Sequence, residues 1–203
     1  MPNPGRLGEL LIPGASLIIE NVVSANIARK TAFTVQAVLH DGVVVCLNTL
    51  RTNEIARFMV NEGMVSGMEN VKVLSSEVTK GHSRFDFLVK DGGKKILMEV
   101  KSVTLVEKGI AKFPDAVTNR GLKHIQHLSE ISTEGLEVMV LFVVQRSDAE
   151  CFQPQWVRDP EFSSALYAAW QDSLQIRVIK MKMTTDHFCY LGEIPYQLNP
   201  GCI

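Results

Sequence analysis

Residues 83–101, SRFDFLVKDGGKKILMEVK, constrain the fold more tightly than any other stretch of this chain. Two runs of alternating apolar residues flank Gly92 and Gly93, and such a pair between strand-like runs marks a two-residue hairpin loop. With those glycines as the loop, Asp91 pairs with Lys94, Val89 with Ile96, Phe87 with Met98 and Phe85 with Val100, so that Asp86 falls opposite Glu99. A slip of one residue would send the two acids to opposite faces and mismatch every apolar pair. Because strand side chains alternate, Glu99 and Lys101 share a face with Asp86. Carboxylates roughly 5 Å apart across a strand pair repel each other. A divalent cation between them removes the conflict.

Asp86, Glu99 and Lys101 are therefore the candidate catalytic residues, and Asp86 and Glu99 the candidate metal ligands. Hard oxygen ligands on rigid strands suit Mg²⁺ or Mn²⁺, which keeps several waters. Such a metal lowers the pKa of a bound water and stabilises charge on a phosphoryl oxygen. Lys101 beside it can orient or deprotonate the attacking water, or stabilise the oxyanion. That is the chemistry of metal-assisted phosphodiester hydrolysis. The order Asp, twelve residues, Glu, one residue, Lys is the pattern of PD-(D/E)xK nucleases. Asp115, in FPDA, is a further ligand candidate or a turn former. The competing reading is a surface hairpin whose cross-strand Asp–Lys pairs are worth about a few tenths of a kcal/mol. Carboxylates inside apolar runs are costly without a partner, but the residues alone leave both readings open. No phosphate loop, nucleophile elbow, HExxH or dinucleotide fingerprint offers another chemistry.

Around the hairpin the pattern is mixed α+β. In residues 1–48, LIIENVV, AFTVQAVLH and GVVVCLNT read as strands, with HDG at 40–42 as a turn. Thr52 is expected to cap a helix reaching about residue 62, with Ile55, Ala56, Phe58 and Met59 on its apolar side and Gly63 ending it. VKVLSSEV reads as a strand, and residues 106–121 as a loop punctuated by Gly and Pro. A helix over about 118–131 buries Leu122, Ile125 and Leu128 and turns Arg120, Lys123, His124 and His127 to its other faces. The apolar run 136–145 suggests a strand covered on both faces. Pro160 starts a helix to about Asp172, and QIRVIKMKM and HFCYLGE read as strands. A partial β unit over 1–48 thus precedes an α/β domain over 49–203 built on a central sheet.

With 203 residues, 46% of them hydrophobic, the chain can bury a substantial core. No run approaches the roughly 18 apolar residues of a membrane span, and the start lacks a secretory pattern. The four scattered cysteines read as small apolar residues in a reducing cytoplasm. A net charge of −1 argues against a nucleic-acid coat protein, but the distribution is uneven. Residues 80–125 hold ten Lys and Arg against five Asp and Glu, while the remainder holds 11 basic and 17 acidic residues. Positive charge around an acidic pair is how a site for a polyanion is arranged. Arg84, Lys112, Arg120, Lys123 and His124 are the candidate nucleic-acid contacts within it, and an ordinary solvated helix face is the alternative for the last three.

These residues also carry a resemblance. SRFDFLV, followed by MEVKSVTLVEKGIAKFPDAVTNRGLKHIQHL, is similar to the sugar fermentation stimulation protein A (SfsA) family. NTLRTNEIA resembles that family's helix entry and FQPQWVRDPEFSSAL its downstream segment, so the likeness covers nearly the whole chain. The resemblance implies an OB-like N-terminal β domain followed by a restriction-endonuclease-like three-layer domain of the PD-(D/E)xK type with a central mixed sheet. It implies DNA binding without sequence specificity and a regulatory link to sugar (maltose) metabolism. It puts the nuclease motif on Asp86, Glu99 and Lys101, and the family's loop and helix positions on Phe113, Pro114, Asp115, Arg120, Gly121, Lys123 and His124. NPGRLGELLIPGASL resembles an interior segment of the OB-like domain, so either that domain is shortened here or the start is misassigned. A homodimer is compatible with the resemblance, and no membrane partner is expected. Two functions compete: a metal-dependent nuclease acting on DNA, and a non-catalytic, non-specific DNA-binding regulator of sugar utilisation. A carbohydrate enzyme is a weaker third, since no aromatic platform with paired acids supports it.

Overall fold

In a computed structural model the chain is described over residues 6–22 and 31–200. Three strands come first, β1 (Ser16–Asn21), β2 (Phe33–His40) and β3 (Val43–Cys46), in one antiparallel sheet of order β1-β2-β3. Asp41 and Gly42 both take positive φ, 49° and 78°, the left-handed pair that a two-residue loop between twisted strands requires. Alternation turns Val38 and Val45 inward against Leu7, Leu10 and Leu47, the small core of this OB-like unit. Cys46 sits inside like an apolar residue, and burial pushes its thiol up to about 11. Val23, the end of the first expected strand, lies outside the described residues.

Helix α1 (Leu50–Asn61) starts ahead of the expected cap. The Asn48 carboxamide accepts from the Leu50 N–H at 3.2 Å, while Thr52 is buried inside the helix and accepts from Gln145 Nε2 at 2.7 Å. Thr52 has the right chemistry for a cap, but Asn48 reaches the free amides first. Gly63 ends the helix as expected: its φ is +65°, and a Cβ there would lie 2.6 Å from the Glu69 carbonyl oxygen.

The rest runs β4 (Val71–Lys80), β5 (Ser83–Asp91), β6 (Lys94–Val103), β7 (Leu105–Glu107), β8 (Ile110–Phe113), α2 (Asn119–Thr133), β9 (Glu137–Val144), β10 (Cys151–Pro154), α3 (Pro160–Asp172), β11 (Gln175–Met183) and β12 (Phe188–Glu193). Six strands form the central mixed sheet, in the order β12-β11-β9-β6-β5-β4. The expected doubly buried strand is β9, parallel to β6 on one side and to β11 on the other. Val138, Val140, Phe142 and Val144 pack on α2 and α3, while Met139, Leu141 and Val143 pack on α1. One strand thus feeds two cores, and the domain has three layers. Each large apolar side chain so buried contributes about 1.5–3 kcal/mol.

Two expectations are corrected. Residues 106–121 are not simply a loop, because β7 and β8 pair across Lys108 and Gly109, both at positive φ (51° and 79°), and β8 runs parallel to β10. Gly109 is a hairpin residue that reads as a loop marker when its strands are only three and four residues long. On α2, Leu122 is only half-buried while His124 and His127 are buried. The covered stripe follows Gly121, His124, Ile125 and Leu128 at helical spacing. Among the described residues no helix is long and apolar enough to cross a membrane.

Candidate functional site

The hairpin register is the expected one near its loop, running from Asp91↔Lys94 to Phe87↔Met98. At Asp86 it changes. The Phe85–Val100 backbone pair does not continue the ladder; instead the Val100 N–H donates to Asp86 Oδ2 at 2.7 Å. On the other side, the paired register of β4 with β5 passes from Ser76↔Phe87 to Val78↔Phe85, omitting Asp86 and Glu77. Glu77 there has φ +53°, a left-handed conformation rare for a glutamate. Residues two apart in a regular strand share a face, yet Phe87 and Val89 join the α1 core and Phe85 joins the α2 core. The strand turns over at the acid. Asp86 is thereby freed from both ladders, and Asn53 of α1 donates to its Oδ1 at 2.8 Å.

Glu99, on the next strand, is 4% exposed. Its Oε1 receives Lys101 Nζ at 2.6 Å and faces His124 Nδ1 at 2.7 Å. Its Oε2 is buried with no hydrogen-bond partner. Burial alone would push the Glu99 carboxyl up, but Lys101 and His124 outweigh it and hold the group below the usual value. An ionised carboxylate only accepts, so His124 Nδ1 carries the proton. Asp86 moves the other way: burial, then the Glu99 charge, push it up against the pull of the Val100 amide, Asn53 and Lys101. One half-buried acid that resists ionising beside a buried carboxylate oxygen without a donor is a pair that a hard cation satisfies. Among the described residues no three His, Cys, Asp or Glu side chains close on one point. Asp86 and Glu99 are the two carboxylates here that could share a cation.

A cleft of about 420 Å³ opens over these groups, lined by Asp86, Glu99, Lys101, Asp115, Arg120 and Gly121 among others. The N-terminus of α2 borders it. Thr118 caps that helix by accepting from the Gly121 N–H at 3.0 Å, and a Cβ on Gly121 would lie 2.7 Å from Thr118 Cγ2. Of the basic residues expected to contact nucleic acid, Arg120 alone lines this cleft, exposed at its rim. Lys112 pairs with Glu107 at 2.6 Å and lines a small neighbouring hollow with Asp115. Arg84 pairs with Glu77 at 3.4 Å, and neither it nor the exposed Lys123 lines the cleft. His124 is corrected outright: it is 7% exposed and serves Glu99 rather than solvent. The histidine occupies a core position of the helix because its ring packs on Phe85, 5.5 Å between centroids, while its nitrogen meets the acid. Asp115 is held in place by the Arg6 N–H, 2.7 Å from its Oδ2, and by Arg158, whose Nη1 donates to its carbonyl at 2.5 Å.

Sequence reasoning missed Asn53 and the Val100 amide, the two donors that fix Asp86. Asn53 had a usable signal, since it lies one turn into the helix that precedes the hairpin. His124→Ala is expected to lower stability by about 1–3 kcal/mol in urea unfolding, the cost of leaving a buried polar partner short of a donor. Glu99 should then titrate higher, as followed by carboxyl NMR. His124→Gln, which retains a donor, should recover part of both effects.

Comparison with known proteins adds an independent likeness. A family model described as the sugar fermentation stimulation protein RE domain matches residues 50–187, and one described as the SfsA N-terminal OB domain matches residues 1–47. A sugar fermentation stimulation protein homolog from Desulforamulus reducens is 34% identical over 198 residues, covering 98% of this chain and 82% of the relative. Another, from Methanothermobacter thermautotrophicus, is 38% identical over 184 residues, covering 91% and 75%. The structure of Pyrococcus furiosus SfsA in complex with Ca²⁺ has the same fold, with a TM-score of 0.88 at 24% identity over 95% of this chain and 82% of that one.

Proposed function

The chain belongs to the sugar fermentation stimulation protein family, and from that premise we propose that it is a DNA-binding protein whose Asp86–Glu99–Lys101 cleft takes a divalent cation and hydrolyses phosphodiester bonds. The observation that carries the reading is the buried, unpartnered Oε2 of Glu99 beside Asp86, whose ionisation is opposed by burial and by Glu99. The Ca²⁺ complex of the Pyrococcus furiosus protein supports a hard cation, since Ca²⁺ and Mg²⁺ share oxygen ligands.

Asp86 and Glu99 would hold Mg²⁺ or Mn²⁺. When bound, that ion supplies Lewis acidity to a phosphoryl oxygen and a bound water of lowered pKa. The chain's own residues supply the rest. Lys101 Nζ, 2.6 Å from Glu99, orients the attacking water and offsets the negative charge that develops on the phosphoryl oxygens. Arg120 and the exposed amides at the start of α2 receive the phosphate. Asn53 and the Val100 amide fix Asp86, and His124 fixes Glu99. Lys101, Arg120 and the start of α2 address phosphate oxygens, which carry no sequence information, so binding is non-specific.

One contact favours a second reading. Lys101 already neutralises Glu99 without a metal, as a non-catalytic DNA-binding regulator of sugar (maltose) utilisation would need. Incubation with single- and double-stranded DNA in Mg²⁺, Mn²⁺ or EDTA, beside Glu99→Gln, separates the two. Metal-dependent cleavage, lost in the variant by about 100-fold or more, supports the enzyme. DNA binding that survives EDTA and the substitution, with no cleavage, overturns it and leaves the regulator.

A further inference from the structure

The cleft does not stop at Asp86. A second lobe of about 590 Å³ lies between α1 and the β4–β5 pair, and Asp86 lines both lobes. The volume is within the range of ligand sites. Its α1 wall is one helical face, Leu50, Glu54, Arg57, Phe58 and Asn61, spaced by three and four residues. Leu50 is 62% exposed and Phe58 59% exposed, two large apolar groups in water beside a candidate site.

The charges of this lobe differ from those of the first. Glu54, Glu62 and Glu77 line it, with Arg57 the one base among its walls. Arg57 donates to Ser76 Oγ and lies over the Phe87 ring, 5.7 Å from its centroid, so its guanidinium is held against the β4–β5 wall. Glu54 and Glu77 are paired with Arg51 and Arg84, and Glu62 and Asp86 leave the walls net acidic, an unfavourable setting for phosphate. A nucleobase is the part of a nucleotide that suits such a wall: it is neutral, has two apolar faces for Phe58 and Leu50, and has an edge of donors and acceptors for Asn61 and the glutamates.

Resting on the nucleic-acid reading of the site, we propose that the lobe walled by Leu50 and Phe58 receives the unstacked base of the nucleotide whose phosphate lies over Asp86 and Arg120. The substrate is then single-stranded or frayed DNA, because a base inside a duplex cannot reach Phe58 while its phosphate sits in the first lobe. Continuity is the argument for this occupant: Leu50, Asn53 and Asp86 each border the phosphate lobe and the second lobe together. Base–aromatic stacking tolerates every base, so the lobe adds strand preference without sequence preference.

The test uses the full chain in EDTA with an oligonucleotide carrying 2-aminopurine, single-stranded and as the same-sequence duplex. Binding is read by anisotropy and base stacking by 2-aminopurine emission. The wild type should prefer the single strand and alter its emission. Phe58→Ala, at an exposed position, should fold normally and weaken single-strand binding by about tenfold or more, with duplex binding nearly unchanged and the emission change lost. Arg120→Ala should weaken both forms alike. Unchanged single-strand binding by Phe58→Ala overturns the base lobe and leaves the cleavage reading standing. A change from dimer to monomer with DNA binding intact also overturns it, and makes the lobe a self-association surface. A wild type that binds neither form, in EDTA or in Ca²⁺, overturns both the lobe and the nucleic-acid reading.

Discussion

Asp86→Asn is expected to make the protein more stable and inactive at once. The substitution keeps the shape of the side chain. The new carboxamide oxygen can still accept the Val100 N–H, and Asn53 can turn its own oxygen to meet the new NH₂ group. What is lost is a charge whose formation the fold opposes, first by burial and then by Glu99. The folded-state pKa of Asp86 lies above its unfolded value, so the stabilising effect of the protonated form is fully present below the unfolded value and lost as pH rises through the folded one. At neutral pH the wild type carries the cost and the variant does not. The expected gain is about 1 kcal/mol, or about 2–4 °C in Tm for a domain of this size, measured in EDTA so that metal binding does not stabilise the wild type. The gain should disappear as pH falls below the ordinary aspartate value of 3.8, where both proteins are neutral at this position. On the proposed nuclease reading, metal-dependent cleavage should fall by about 100-fold or more, since that reading makes Asp86 a ligand and removing a ligand costs more than removing its supports. A variant that is less stable at pH 7 would show that the carboxylate is a structural group and not a metal ligand held ready.

The way Asp86 is held explains which parts of the molecule were legible. The hairpin register followed from matching two alternating runs around Gly92 and Gly93, and the strand pairing agrees as far as Phe87↔Met98. The doubly buried β9 was equally plain, because a strand covered on both faces has no polar side to hide. Periodicity reports faces, however, and not hydrogen bonds. It could not say that the Val100 amide would take a carboxylate in place of a carbonyl, nor that Phe85 would cross to the other core. It also assigned His124 to the polar side of α2 by residue type, although its spacing from Gly121, Ile125 and Leu128 puts it on the covered stripe. Charge counting overstated the basic neighbourhood for a related reason. Lys80, Arg84, Lys94, Lys101 and Lys112 each face an acid in the fold, and most of those acids are distant in sequence or outside the basic stretch. Arg120, at the cleft rim, is what the count leaves at the site itself.

Phe142→Ala should be the most damaging single change away from the acids. Phe142 is fully buried on β9, and its strand partner on β6 is Lys101. Its ring lies 4.3 Å from that of Phe152 and 5.7 Å from that of Phe113, and Phe113 meets Phe162 at 5.2 Å. This chain of rings joins β8, β9, β10 and α3, so Phe142 is a central member of the packing that holds the layer carrying Phe113 and Asp115 on the sheet. Truncation removes the apolar burial and leaves a cavity that four separate elements must close together, at a cost of about 3–5 kcal/mol. Against a typical total of about 5–15 kcal/mol that brings the protein near its unfolding threshold, visible as a large fall in the urea midpoint. Met139→Ala on the opposite face of β9 should also destabilise, by about 2–5 kcal/mol, but its neighbours belong to the α1 core. The two variants should therefore differ in the site more than in stability. Under conditions where both remain folded, Phe142→Ala should bind metal and DNA more weakly than Met139→Ala, because only the former loosens the Phe113 wall of the cleft and the strand beside Lys101. Equal effects of the two on binding would mean that the cleft is held by the hairpin and α1 alone, with the aromatic layer serving stability.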